Sequence, residues 1–360
     1  MPMGYRRRRA MRRMSERQAC AVVGSGAWGT TLAAMLCRLG NTVRLWARRQ
    51  QIADEVNTTH RNSLYLEGID LPAELSASTS IGEVVEAVDT IIYAVPSVWL
   101  RSVAASARDE APPDALVICA TKGMERESGK RMSQVLAEEL RLSRPETLVA
   151  LSGPNLSHEV ALGMPAVSVA ASMDRCSAER AQRLLNNDLF RVYTNCDIIG
   201  VEFAGALKNV IAIGGGLSDG LGFGDNAKAS LITRGLAEIC RLGHALGAMP
   251  GTFWGIAGVG DLIATCSSRL SRNWTLGYRL GRGESVGDVL GSMHSVAEGY
   301  YTTHAAARIA TELGIDAPIT HAIYGILYEG GSPPDVARGL MSRRQRAEHE
   351  EWHGPVVGNW

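Results

Sequence analysis

Strand and helix signals that alternate through the first half of the chain, followed by helical periods alone, predict a Rossmann-type doubly wound α/β sheet and then an all-α domain. A third observation sharpens this. The turn Gly24-Ser-Gly-Ala-Trp-Gly29 stands between the first strand signal and the first helix signal, the context in which G-x-G-x-x-G marks a dinucleotide site. The chain's 360 residues exceed one compact core and suit two domains. The expected divisions are a disordered basic arm at 1–17, a dinucleotide-binding domain at 18–196, an all-helical substrate and catalytic domain at 197–344, and a loose tail at 345–360.

Ala19-Cys-Ala-Val-Val23 is an apolar run ending in glycines and reads as the first strand. Ala27 to Leu39 has the helical period and stops at Gly40, a residue suited to the position that ends helices. Thr42-Val-Arg-Leu-Trp46 is the second strand. Further strands are expected at 90–95, 115–120, 148–151, 166–170 and 190–193, most of them separated by helical segments, which makes the sheet mostly parallel. From Asp197 to about Arg344 strand alternation all but disappears, so the second domain begins with the helix that carries Lys208.

Composition narrows the function. With 46% hydrophobic and 21% charged residues the chain is an ordinary globular one. Its formal net charge of +0 supplies no bulk attraction to nucleic acid or membrane, which points to small-molecule partners. Seven widely spaced cysteines without a Cys-x-x-Cys pair predict reduced thiols and a cytoplasmic chain. No metal-ligand pairing is expected of the eight histidines, and hence no metal. Long uncharged runs such as 244–260 are broken by Pro250 and by glycines, so no membrane span is expected. The arginine-rich head up to Met14 lacks the apolar core of a secretory signal, and Met1 and Met14 are both candidate starts.

Lys208 lies in Val201-Glu-Phe-Ala-Gly-Ala-Leu-Lys-Asn-Val-Ile-Ala-Ile213, on one helical stripe with Val201, Ala204 and Ile211. Burial would lower the pKa of its ammonium toward the range where it exchanges protons at neutral pH. A lone lysine in such a place more often snorkels to water, but a redox cofactor bound at the upstream turn needs a proton donor. In that turn Gly24 allows the tight bend, Gly26 lets a pyrophosphate approach the backbone, and Gly29 lets the helix pack closely. The helix N-terminus then faces the phosphates. The second strand ends in Arg48-Arg49 with no acid to grip ribose hydroxyls. Arginine there suits a 2′-phosphate and permits NADP(H), NAD(H) or both; solvated surface arginines are the alternative.

Other strand ends face the same crevice. Tyr93-Ala-Val-Pro-Ser97 ends one, Cys119-Ala-Thr-Lys-Gly123 brings Lys122 toward the nicotinamide half, and Ser152-Gly-Pro-Asn-Leu-Ser157 offers amides and small polar groups. In the second domain Gly260-Asp261-Leu262 supplies a carboxylate whose natural partner is Lys208. Ser271 caps a helix ending near Gly281 or Gly283, with Arg272 and Asn273 in its first turn. Amides, dipole and guanidinium together make an anion site there, or else a plain capped surface helix.

Taken in order, these motifs resemble the NAD(P)-dependent glycerol-3-phosphate dehydrogenases of the bacterial type, from Cys20 to Arg344. The carriers are Gly-Ser-Gly-Ala-Trp-Gly-Thr (24–30), Thr-Lys-Gly-Met-Glu (121–125), Leu-Ser-Gly-Pro-Asn (151–155), Val-Glu-Phe-Ala-Gly-Ala-Leu-Lys-Asn-Val (201–210) and Gly-Asp-Asn-Ala-Lys-Ala-Ser-Leu-Ile-Thr-Arg-Gly (224–235). Ala-Gly-Val-Gly-Asp-Leu (257–262), Ser-Arg-Asn (271–273) and Val-Ala-Glu-Gly (296–299) complete them. The resemblance implies a 6-phosphogluconate-dehydrogenase-like pairing of the two domains. It also implies reversible reduction of dihydroxyacetone phosphate to sn-glycerol 3-phosphate, supplying glycerophospholipid synthesis in the cytoplasm. By the same resemblance Lys208 is the proton donor or acceptor. Lys122, Gly153, Asn155, Asp261, Ser271, Arg272 and Asn273 match substrate positions. Ser25, Trp28, Arg48, Lys122, Ser157, Arg272 and Glu298 match cofactor positions. The family usually has Ser-Gly-Pro-Ser-x-Ala where this chain has Asn155 and Ser157. Helical domains of this kind often pair, which allows a homodimer. The rival readings are a reductase of another small keto acid and a non-catalytic NADP(H) sensor.

Overall fold

The computed structural model describes residues 17–293 and 295–345, so the expectations for the basic arm and the tail lie almost wholly outside the described residues. In chain order the sheet half runs β1 (Ala19–Val23), α1 (Ala27–Arg38), β2 (Thr42–Trp46), α2 (Gln50–Thr59), β3 (Ser76–Ser78), α3 (Ile81–Val85), β4 (Thr90–Tyr93), α4 (Ser97–Ser106), β5 (Leu116–Cys119), α5 (Met132–Glu139), β6 (Val149–Ser152), α6 (Ser157–Ala161), β7 (Ala166–Ala171), α7 (Arg175–Leu185) and β8 (Phe190–Asn195). The helical half follows as α8 (Ile198–Gly220), α9 (Asp225–Ala245), α10 (Asp261–Ser267), α11 (Arg272–Gly281), α12 (Val286–Ser292), α13 (Glu298–Glu312), α14 (Pro318–Tyr328) and α15 (Pro333–Met341).

The strands form one sheet in the order β3-β2-β1-β4-β5-β6-β7-β8. Every neighbouring pair is parallel except β6 and β7. This is the doubly wound Rossmann pattern, with its switch in strand order between β1 and β4. The inner strands are apolar runs without alternation because helices cover both faces. One face buries Leu32, Leu45, Ile92 and Phe190; the other buries Val23, Ile91, Leu100 and Val201. β3 is the strand the sequence does not announce. Ser76-Ala-Ser78 is too short and polar to alternate, and it is a strand because Arg44, Leu45 and Trp46 pair with it.

Both sheet edges are closed by side-chain amides. Asn57 donates to the Ala77 carbonyl and accepts from its N–H, each at 2.8 Å. At the far edge the Val192 N–H donates to Asn186 Oδ1 at 3.0 Å, and Gln182 Nε2 donates to the Val192 carbonyl at 2.8 Å. At each edge one residue's outward N–H and C=O are thereby occupied and withheld from another strand.

The helical half is organised around α8. Asp197 caps it, accepting the Gly200 N–H at 2.8 Å. The helix is buried on nearly all sides, not along one stripe, with Phe203, Leu207, Ile211 and Leu217 in the second core. Among the described residues α8 is also long and apolar enough to cross a membrane, which the sequence reading did not anticipate, but here it is the enclosed core helix. Its glycines let α11 approach at backbone distance. A Cβ on Gly216 would lie 2.0 Å from the Trp274 carbonyl oxygen, and one on Gly277 would lie 1.9 Å from that of Ile213. That contact fixes the start of α11 relative to Lys208.

Candidate active site

A cleft of about 670 Å3 opens along the carboxyl ends of β1, β2, β4 and β5 and continues to α8, α10 and α11, a size suited to small ligands and cofactors. The glycine turn lines one end. Gly24 has φ +120° and sits so close to β4 that a Cβ would lie 2.7 Å from the Ala94 carbonyl oxygen. A Cβ on Gly29 would strike the Gly24 carbonyl oxygen at 1.9 Å, so that glycine is a packing requirement. At Gly26 a Cβ would meet no atom within 4 Å. Gly26 is the N-cap of α1 and no side chain caps the helix, which leaves first-turn amides to meet an anion. These features fit a nicotinamide dinucleotide. Ser25 and Trp28 line the same end, and the Trp28 ring lies 6.3 Å from that of Phe190.

Arg48 and Arg49 are exposed on the cleft wall, with the Arg48 guanidinium 5.9 Å from the centre of the Trp99 ring. Ser157 lines the cleft, and its carbonyl accepts the Thr31 hydroxyl at 3.2 Å. Two residues that carried no sequence signal complete this end. Asn62 is fully buried and donates to the Ser25 carbonyl at 2.9 Å and to Thr30 Oγ1 at 2.8 Å, holding the glycine turn from below. Tyr65, just beyond it, reaches the cleft.

At the other end two lysines meet one carboxylate. Lys208 and Asp261 retain only 5% and 1% of their exposure. Lys208 Nζ donates to Asp261 Oδ1 and, at 2.7 Å, to Thr265 Oγ1. Lys122 Nζ donates to Asp261 Oδ2 at 2.8 Å and to the Gly153 carbonyl at 2.7 Å. Asp261 begins α10 directly after a π-helical turn, Ile256–Gly260, a distortion that often re-aims functional side chains. Thr265, one helical turn on, donates its own proton to the Asp261 carbonyl at 2.6 Å and is thereby fixed as an acceptor for Lys208. The i, i+4 spacing from Asp261 is the signal that could have found it. Burial pushes the Lys208 pKa down to about 8; the Asp261 charge opposes this and the Lys122 charge adds to it. An ammonium has three N–H donors. Two are taken, and because Lys208 lines the cleft the third remains for a ligand.

The capped start of α11 is present, and its three side chains are engaged differently. Ser271 is the N-cap of α11, and its hydroxyl accepts the Trp274 N–H at 3.2 Å. Arg272 is exposed to the cleft. The protein around it lowers its pKa, with Glu298 opposing, and a guanidinium keeps its charge throughout. The Asn273 side chain is committed inside the protein, donating to Asn209 Oδ1 at 2.9 Å and accepting the Gly299 N–H at 2.8 Å. The Asn155 amide is tied to β7, through the Val167 carbonyl at 3.0 Å and the Ser168 hydroxyl at 3.1 Å. Gly153 meets the site through its carbonyl, held by Lys122. Glu298 lines the cleft while its carboxylate accepts from Ser97, another residue without a sequence signal as a contact.

The histidines include a pair at metal-ligand spacing, contrary to the expectation. His349 and His353 do stand four apart, in His349-Glu-Glu-Trp-His353, a spacing with metal-ligand precedent; both lie outside the described residues. Among the described residues no group of three or more His, Cys, Asp or Glu is placed to hold a metal ion.

Comparison with known proteins agrees across the chain. Residues 19–178 match the family profile for the NAD-dependent glycerol-3-phosphate dehydrogenase N-terminus, and residues 197–338 match that for the C-terminus. A glycerol-3-phosphate dehydrogenase [NAD(P)+] of Oceanobacillus iheyensis is 47% identical over 92% of this chain and 96% of its own length. That of Corynebacterium diphtheriae is 46% identical over 91% of this chain and 99% of its own. Among solved structures, the glycerol-3-phosphate dehydrogenase of Coxiella burnetii is similar with a TM-score of 0.86 and 34% identity, over 91% of this chain and 99% of that one. A ketopantoate reductase of Ralstonia eutropha, at a TM-score of 0.55 and 16% identity, shares the fold alone.

Proposed function

The chain belongs to the NAD-dependent glycerol-3-phosphate dehydrogenase family, and from that premise we propose that it reduces dihydroxyacetone phosphate reversibly, with Lys208 as the proton donor and acceptor. The observation that carries the reading is Asp261 held between Lys208 and Lys122 on the wall of a cleft that also presents Arg272. We assign the dinucleotide to residues 18–196 and the substrate chiefly to 197–344. A nicotinamide cofactor held there would supply hydride to the substrate carbon, or accept it in reverse.

Reduction places negative charge on the C2 oxygen, and the free N–H of Lys208 is the donor for that oxygen. Asp261 fixes both ammonium groups, so no side chain has to reorganise as the charge forms. Lys122 adds a second positive charge beside the reacting oxygen. The substrate phosphate sits at the first turn of α11, held by Arg272 and by backbone amides. Ser271 keeps that turn helical, and Asn273 ties it to Asn209 and Gly299. Asn155 and Gly153 act on the substrate through β7 and Lys122.

Ser25, Gly26, Trp28 and Ser157 would hold the cofactor; Arg48 and Arg49 suit a 2′-phosphate, which favours NADPH. The reaction would supply glycerophospholipid synthesis from the cytoplasm. Initial rates of cofactor oxidation with dihydroxyacetone phosphate, NADPH against NADH at equal concentration, test the reading. Turnover with a higher NADPH rate is expected. Cofactor binding without turnover would remove the assignment.

A further inference from the structure

The segment from Gly224 to Gly235 carries part of the family resemblance, yet it lines no part of the cleft. It forms the first half of α9, whereas the buried residues of that helix begin at Gly235. Ahead of Gly235, Asn226, Ala227, Ala229, Ser230 and Thr233 are all exposed. At helical spacing Asn226, Ser230 and Thr233 form one outward stripe. Lys228 turns the other way, to Asp219 at 2.6 Å. Leu231 also turns inward, 3.1 Å from where a Cβ on Gly214 of α8 would lie. Cys266 of α10 lies 3.5 Å from where a Cβ on the next residue, Gly215, would lie. Successive residues of a helix point about 100° apart at nearly one height, so α9 and α10 lie side by side on α8. The outward residues of α10 are Ile263, 49% exposed, and Ser267, while Phe223, 46% exposed, stands just ahead of α9.

Not one of these outward side chains is charged. A helix that faces water ordinarily carries charge on that side, and α7 of this chain does so with Arg175, Glu179 and Arg183. Exposed aromatic and aliphatic groups without charge are the composition of a protein interface. The face also fits itself. Asparagine amides and hydroxyls both donate and accept, so a copy turned about a two-fold axis meets no like charge. With the axis between Ala229 and Ser230, the two α9 helices run antiparallel and Asn226 comes beside Thr233 of the partner subunit. Small side chains at the crossing let the backbones approach. The ends match in charge as well, because Asp225, exposed in the first turn, comes level with Arg234 of the partner subunit.

We propose that this face of α9 and α10 docks a second copy of the chain in an isologous, antiparallel pair. The partner covers the outer side of α10, whose inner side holds Asp261 and Thr265 against Lys208. The inference is independent of the reaction reading.

Sedimentation velocity of the full chain over a range of concentrations tests it. The wild type is expected at twice the 38.6 kDa of one chain. Ser230→Arg sets two like charges at the axis and should raise the Kd of the pair at least about a hundredfold. Its circular dichroism and cofactor Kd should stay at wild-type values, since Ser230 is exposed and away from the cleft. Ser230→Ala keeps the face neutral and should remain paired. Ser230→Cys should give a disulfide-linked pair on oxidation with copper phenanthroline, above the background of the wild type. A monomeric wild type overturns the proposal and leaves the face to a different protein. A folded Ser230→Arg that still pairs overturns it too, by placing the interface elsewhere. If Ser230→Arg does not fold, the Ser230→Cys protein decides, and crosslinking no stronger than the wild-type background overturns the proposal.

Discussion

The two ends of the cleft are built in opposite ways. The dinucleotide end is largely backbone: a six-residue turn, an uncapped helix start and two exposed arginines on the rim. The chemical end is a buried ionic cluster assembled from distant parts of the chain, with Asp261 lying 53 positions from Lys208 and 139 from Lys122. A phosphate-binding turn needs small residues at fixed local spacing, because it works by letting backbone approach a ligand. A proton donor with a lowered pKa needs exclusion of water and a counter-charge, and only tertiary packing supplies both.

That contrast predicts different failures when each end is broken. The largest effect is expected at the buried cluster. Lys208→Ala should lower kcat by about 10²- to 10⁴-fold, the range of a positioned general acid, while cofactor Kd measured by titration stays near the wild-type value. Near-normal turnover in that variant would withdraw the proton role. Arg272→Ala comes next and should act mainly on KM for dihydroxyacetone phosphate, by about 10- to 100-fold, as expected for loss of a charge-assisted contact. An unchanged KM would take the phosphate away from α11. The smallest effect lies in the turn. Gly26→Ala should weaken cofactor binding by about tenfold through steric exclusion of a phosphate and leave the melting temperature unchanged, because its Cβ meets nothing in the protein. Gly29→Ala should instead lower the melting temperature, since its Cβ collides with the Gly24 carbonyl. If both variants melt alike, the distinction between ligand-facing and packing glycines fails.

The same contrast explains what could be read from the sequence. The turn at 24–29, the arginines after β2 and the capped start of α11 are local patterns, and local patterns are visible in one dimension. The meeting of Lys208 and Asp261 was legible because a charge on an apolar helix and a carboxylate among glycines each lack a local partner. The direct Lys122–Asp261 contact was not, because a Lys-Gly after a strand reads as a turn. Asn62, Ser97 and Thr265 are single polar residues whose meaning comes from what the fold sets beside them. The Asn155 and Asn273 amides show the converse: motif residues whose side chains hold the scaffold that holds the site. β3 escaped because three residues are too few to show a period, and its identity comes from its neighbour β2.

If burial and Asp261 together set the proton affinity of Lys208, the pH dependence of kcat/KM will report it. Reduction needs the protonated ammonium, so kcat/KM for dihydroxyacetone phosphate should fall as pH rises through about 8. Oxidation of glycerol 3-phosphate needs the neutral amine and should rise through the same point. Asp261 raises the Lys208 pKa, so Asp261→Asn should move both limbs to lower pH. Limbs that stay in place in Asp261→Asn, or a reduction rate that holds up to the ordinary lysine range, would contradict the account.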